Sequence, residues 1–147
     1  MSSLTKQEIE KIIPHRDNMM LLDAATEITE THGVAIHNVR ADEFWCKGHF
    51  PGNPVMPGVL QVEALAQTAC LVALNDVREK YPNKKGMGYF TTIDKCKFTR
   101  MVKPGDVLEL EVKQIQKRLM MYKFEGVARV NGETTCTTTL SAILQFN

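Results

Sequence analysis

The sequence predicts an α+β fold, with one long central helix wrapped by an antiparallel β-sheet of about five to seven strands. Three observations predict it. Residues 57–75 are apolar on nearly every face, the pattern of a helix that lies inside a protein. Residues 108–130 alternate apolar and polar side chains with a period of two, the pattern of strands with one wet face. Asn131-Gly132 then supplies the pair that best tolerates the positive φ angles of a tight hairpin turn.

The elements follow in chain order. Thr5-Lys6-Gln7-Glu8 has the spacing of a capping box, so a short helix is expected from Lys6 to Ile13, stopped by Pro14. Met19 to Thr29 and Gly33 to Val39 read as strands, with His32-Gly33 near the turn between them. Glu43 to Pro57 is a loop dense in Gly and Pro. The central helix should open with Pro57 as its first residue and run to about Asn75. Tyr81 to Gly88 reads as a polar connection. Leu108, Leu110 and Val112 alternate with Glu109, Glu111 and Lys113. Tyr122, Phe124, Ala128 and Val130 alternate with Lys123, Glu125 and Arg129. Thr134 to Phe146, rich in β-branched Thr, is the last strand.

Composition narrows the function classes. A chain of 147 residues predicts one domain, and 44% apolar with 24% charged residues excludes a disordered chain. A formal charge of +1 excludes a polybasic nucleic-acid binder. That total conceals an asymmetry. Residues 1–63 hold 5 basic and 9 acidic groups, and residues 64–147 hold 13 and 8. Cys46, Cys70, Cys96 and Cys136 show no zinc spacing and, without a signal-peptide pattern, are expected as free cytoplasmic thiols. The apolar stretch Val59–Leu74 carries Gln61, Glu63, Gln67 and Thr68, so no membrane insertion is expected.

Glu63 stands out because a carboxylate is seldom buried alone. Gln67, four residues on, shares its helical face and can hydrogen-bond to it. The alternative is a polar stripe that touches solvent. Gly48-His49-Phe50-Pro51-Gly52-Asn53-Pro54-Val55-Met56-Pro57-Gly58 is a stiff loop that carries one His into a helix start. His49 is either a surface or packing residue or a general base that titrates near neutrality. The helix start near Gly58 offers free N–H groups for a developing oxyanion. Glu63 lies about 9 Å along the helix from that start. A stiff loop running away from the helix need not bring His49 back to its own Glu63. A two-fold dimer could pair each His with the partner's Glu.

These residues carry a resemblance. Gly48 to Gln67, GHFPGNPVMPGVLQVEALAQ, closely resembles the signature of the FabZ-type 3-hydroxyacyl-[acyl-carrier-protein] dehydratases of type II fatty acid synthesis. Ile13-Pro14-His15-Arg16 with Met20-Leu21-Leu22-Asp23 resembles the family's N-terminal segment. Phe90 to Phe98 followed by Arg100, Val102, Pro104, Gly105 and Asp106 resembles a third. The likeness covers nearly the whole chain, as one domain over residues 1–147. It departs at Asp17-Asn18, where the family usually has an aromatic residue and Pro, and at Met101, where it usually has Pro.

The resemblance implies a hot-dog fold and a homodimer, commonly three to a hexamer, with each active site shared between two subunits. It implies that His49 is the catalytic base and Glu63 the catalytic acid. The reaction implied is loss of water from a (3R)-3-hydroxyacyl thioester to give a trans-2-enoyl thioester. In this scheme the Gly58 N–H polarises the thioester carbonyl and Gln67 orients Glu63. No metal or organic cofactor is required. Phe50, Phe90, Ile93 and Phe98 are candidate linings of an acyl tunnel, or ordinary core residues. Lys95, Lys97, Arg100 and Lys103 fall in nine residues without an acid. Lys113, Lys117, Arg118 and Lys123 also have no acid between them. Either cluster is a solvated face or a docking surface for the acidic acyl carrier protein and its phosphopantetheine phosphate. The alternatives are enoyl isomerase side activity, a coenzyme A hydratase or thioesterase on the same scaffold, and a non-catalytic acyl-binding subunit.

Overall fold

The computed structural model describes residues 2–146, so the two terminal residues of the expected domain lie outside it. The elements are β1 (Ser2–Thr5), α1 (Lys6–Glu10), a 3₁₀ turn (Asp17–Met19), β2 (Ala24–Ile28), β3 (His32–Asn38), α2 (Gly58–Lys80), β4 (Gly86–Phe98), β5 (Val107–Arg118), β6 (Met121–Val130) and β7 (Glu133–Phe146). The strands form one seven-stranded sheet in the order β1-β2-β3-β5-β6-β7-β4, with antiparallel pairing throughout. The sheet wraps α2, which is the hot-dog arrangement.

The capping box forms as expected. Glu8 N–H donates to Thr5 Oγ1 at 3.2 Å, and Thr5 N–H donates to Glu8 Oε1 at 3.0 Å. α1 ends at Glu10 rather than Ile13, and the chain tightens into a turn. Arg16 then donates its guanidinium to the carbonyls of Glu10, Ile13 and His15, which have no helical N–H to accept from, since Pro14 carries none. β2 is also shorter than expected. Gln67 from α2 takes Met19 O and Leu21 N–H, so residues 19–21 hydrogen-bond to a helix side chain where a strand would use a ladder.

Helix α2 follows Pro57, which precedes it, and continues past Asn75 to Lys80. The apolar pattern stops at Leu74, but Asp76, Arg78, Glu79 and Lys80 are compatible with helix, and Lys80 pairs with Asp76 at 3.3 Å. The 23-residue helix is long and apolar enough to cross a membrane by composition, but twelve of its residues are buried inside this protein. The core is the inner face of the sheet closed on that helix. Leu108, Leu110 and Val112 are fully buried, each side chain contributing about 1.5–3 kcal/mol over its exposed state. Asn131 and Gly132 have φ of 51° and 78°, as the hairpin turn between β6 and β7 requires.

One face stays open. β4 begins at Gly86, inside the expected connection, and forms an edge strand paired only with β7. Tyr89, Phe90, Ile93 and Phe98 are exposed along it. The helix stripe Val59, Glu63, Ala66 is also incompletely covered, spaced as one helical face.

Candidate active site

The loop that follows β3 is anchored at its root. His37 is buried, with Nε2 2.9 Å from Glu43 Oε1 and Nδ1 3.5 Å from Asp23 Oδ2. Burial alone would lower its pKa, but the hydrogen bonds and charges of Asp23 and Glu43 prevail and raise it to about 9. Glu43 also accepts Arg40 N–H at 2.7 Å and the Trp45 indole N–H at 3.3 Å. Trp45 O in turn accepts His49 N–H at 2.9 Å. A charged pair at the end of β3 thus fixes the loop that carries His49.

The loop fixes the tautomer of His49. Its Nδ1 lies 2.7 Å from Val55 O. A carbonyl only accepts, so the ring proton is assigned to Nδ1 and the lone pair to Nε2. The ring stacks on Phe50, with centroids 4.1 Å apart. Val55 N–H donates back to His49 O at 2.7 Å, and Met56 N–H donates to Val102 O at 2.7 Å. The chain then enters α2 at Gly58, where no side chain caps the first turn. A Cβ on Gly58 would stand 2.7 Å from the Phe98 ring, so only Gly lets the helix start lie against that aromatic ring.

Glu63 is only partly buried, with its side chain 23% exposed, because its own chain leaves that helix face open. Gln67 Nε2 donates to Glu63 Oε2 at 2.9 Å, and His15 Nε2 stands 3.6 Å from the same oxygen. His15 quotes as part of a sequence motif, but nothing local in the sequence places it at Glu63. Glu63, His15, Cys70, Tyr89, Phe90 and Tyr122 share one cavity of about 80 Å³. Burial in that cavity, together with the charge of Glu63, pushes the Cys70 thiol up to about 12.

His49 and Glu63 do not share a cavity within one chain. His49, Gly58, Phe98, Arg100 and Met101 line a separate, open cleft of about 510 Å³. Of the expected tunnel residues, Phe90 lies with Glu63 and Phe98 with His49. Phe50 lines neither cavity and instead packs on His49, 51% exposed. Ile93 is exposed on the edge strand. Lys95, Lys97 and Arg100 lie on and just beyond that strand, and Arg100 is paired with Glu133 across the sheet edge. Cys46, Cys70 and Cys136 are buried free thiols, and Cys96 is exposed. No three His, Cys, Asp or Glu among the described residues are grouped to hold a metal ion.

Comparison with known proteins gives this chain a family. The family model described as the FabA-like domain matches residues 13–139. The chain is 49% identical to the 3-hydroxyacyl-[acyl-carrier-protein] dehydratase FabZ of Alkaliphilus metalliredigens, covering 96% of this chain and 94% of that one. It is 44% identical to the same enzyme of Thermoanaerobacter pseudethanolicus, covering 96% and 97%. The dehydratase heterocomplex ApeI:P from Xenorhabdus doucetiae shares the fold at a TM-score of 0.79 with 17% identity, covering 93% of this chain and 90% of that one. A hypothetical thioesterase from Streptococcus pneumoniae, solved with coenzyme A, shares it at 0.62 with 13% identity, covering 92% and 90%. By sequence and by fold, the chain belongs to the FabA-like family and, within it, to the FabZ-type dehydratases, which are hydro-lyases.

Proposed function

We propose that this chain, as one hot-dog domain acting in the cytoplasm, dehydrates (3R)-3-hydroxyacyl-[acyl-carrier-protein] to the trans-2-enoyl thioester. His49 is the base and Glu63 the acid. The observation that carries this reading is the tautomer of His49, whose Nδ1 is held by Val55 O and whose Nε2 is left as a free lone pair at a helix start. Nε2 takes the proton from C2. The Gly58 N–H, at the positive end of α2, stabilises the charge that develops on the thioester oxygen. The electron pair of the broken C2–H bond forms the C2–C3 double bond. The C3–O bond breaks as Glu63 delivers its proton to the departing hydroxyl, and water leaves.

The acid and base come from different copies of the chain in a two-fold dimer. Two features support this. His49 and Glu63 line separate cavities in one copy. The open face of β4 and α2 presents Tyr89, Phe90, Ile93 and Val59 for a second copy to cover, with β4 edges joined. Three such dimers form the hexamer. Phe90 and Phe98 then line one acyl tunnel built from both halves. Lys95, Lys97 and Arg100 receive the acidic carrier protein, and Arg100 and Phe98 border the His49 cleft, so the phosphopantetheine arm enters beside the base.

The test is to incubate the protein with (3R)-3-hydroxyacyl carrier protein and follow product mass. Loss of one water supports the reading. Release of free acid would identify a thioesterase, and no turnover would contradict both.

A further inference from the structure

One hydrogen-bond donor and one nearby imidazole nitrogen face a single oxygen of Glu63. Gln67 Nε2 is 2.9 Å from Oε2, and His15 Nε2 is 3.6 Å from that same Oε2. Neither contact is to Oε1. The two side chains also come from different parts of the fold, Gln67 from α2 itself and His15 from the turn between α1 and the 3₁₀ segment. His15 lines the Glu63 cavity. Its other nitrogen, Nδ1, is buried with no hydrogen-bond partner among the described residues. A buried N–H without an acceptor costs about 1–3 kcal/mol, so the ring hydrogen is better placed on Nε2, facing the carboxyl.

We propose that His15 is a positioning residue for Glu63. With Gln67 it clamps Oε2, so that Oε1 alone carries the working proton toward the substrate, and it does so as a neutral imidazole. This rests on the reading of Glu63 as the acid. As Glu63 gives up its proton, charge grows on the carboxyl and the His15 N–H contact strengthens, which favours the transition state over the resting acid.

The chemistry explains why a histidine suits this place. A permanent cation at this distance would hold Glu63 as a carboxylate and remove the acid. His15 avoids this because burial lowers its pKa more than Glu63 raises it, and Arg16 lowers it further. The remaining titratable groups that share the cavity are Cys70, whose thiol is pushed up to about 12, and the phenols Tyr89 and Tyr122. Glu63 is thus the carboxyl in the cavity, and His15 its neutral clamp.

The experiment compares His15→Gln, His15→Ala and His15→Lys with the wild-type protein on a 3-hydroxyacyl carrier-protein substrate, with Glu63→Gln as the control. Thermal unfolding of each variant separates misfolding from lost chemistry. His15→Gln retains an N–H donor and should keep most of kcat. His15→Ala should lose roughly tenfold or more in kcat with KM nearly unchanged. His15→Lys should be worse than His15→Ala, because the ammonium locks the carboxylate, although it removes less volume. Equal kcat in all variants, or His15→Lys outperforming His15→Ala among folded proteins, would overturn the proposal. If Glu63→Gln itself retains wild-type turnover, the acid assignment fails. If Glu63→Gln is inactive while His15→Ala is unaffected, only the clamp fails.

Discussion

Gln67 joins Glu63 to the chain ahead of β2. Its Nε2 donates to Glu63 Oε2 at 2.9 Å and to Met19 O at 2.6 Å, while its Oε1 accepts Leu21 N–H at 3.0 Å. One buried amide therefore orients the Glu63 carboxyl and hydrogen-bonds two backbone groups that lack a strand partner. Gln67→Leu keeps the volume and removes all three bonds. It should cost about 1–3 kcal/mol in urea unfolding and lower kcat more than it raises KM. Wild-type stability would show that Met19 and Leu21 find other partners.

The contact between Gly58 and Phe98 sets the position of the helix start. Gly58→Ala places a Cβ 2.7 Å from the ring, so either the ring or the helix must move. Turnover should fall by roughly tenfold, as expected for a displaced oxyanion donor. In a Phe98→Ala background the same change should cost much less. Simple additivity of the two losses would show that the steric contact is not the cause.

His37 makes stability depend on pH at the alkaline side. Its folded pKa is raised to about 9 from 6.5, so its contribution is complete below about 6.5 and is lost as pH rises through about 9. Its partners act in the opposite sense. Hydrogen bonds and charges from His37 and neighbours outweigh burial and lower Asp23 and Glu43, so their contribution is present above 3.8 and 4.5 and is lost as pH falls through their folded values. Urea midpoints should plateau between these limits and decline toward pH 9. His37→Gln should be less stable at neutrality and should lose the alkaline decline. An unchanged decline would assign it to another group.

Charge reversal at Lys95 and Lys97 tests the proposed carrier-docking surface. Lys95→Glu with Lys97→Glu should lower kcat/KM for carrier-protein substrates about tenfold at low salt and leave a short soluble thioester nearly unaffected. The difference should shrink as salt is added. Arg100 is partly neutralised by Glu133, so Arg100→Glu alone should have a smaller effect. Equal losses on both substrates would place these lysines in folding or catalysis instead.

Much of this fold is legible in the sequence because burial imposes a period. Leu108, Leu110 and Val112 alternate because one sheet face is dry, and 69–74 is apolar all round because the protein buries every one of its side chains. The errors occur where another force decides. Residues 19–21 look like strand, but their hydrogen bonds go to Gln67. The end of α2 carries little apolar signal because Arg78, Glu79 and Lys80 are exposed. For Glu63 the sequence leaves open a buried carboxyl or a polar stripe that touches solvent, and the side chain is 23% exposed on the helix face that also leaves Val59 exposed. The stiff loop and the Glu63–Gln67 pair were legible from spacing. His15 was not, because its approach to Glu63 depends on how the segment after α1 turns back over α2, which no local pattern encodes.

We propose that each active site is made by two copies of the chain. The most direct measurement mixes His49→Ala and Glu63→Ala proteins, each inactive alone, after reversible dissociation. Half of the randomly formed dimers are mixed, and each has one intact pair, so about a quarter of wild-type turnover should return. Mixed dimers confirmed by native mass spectrometry but without activity would contradict a site shared between subunits.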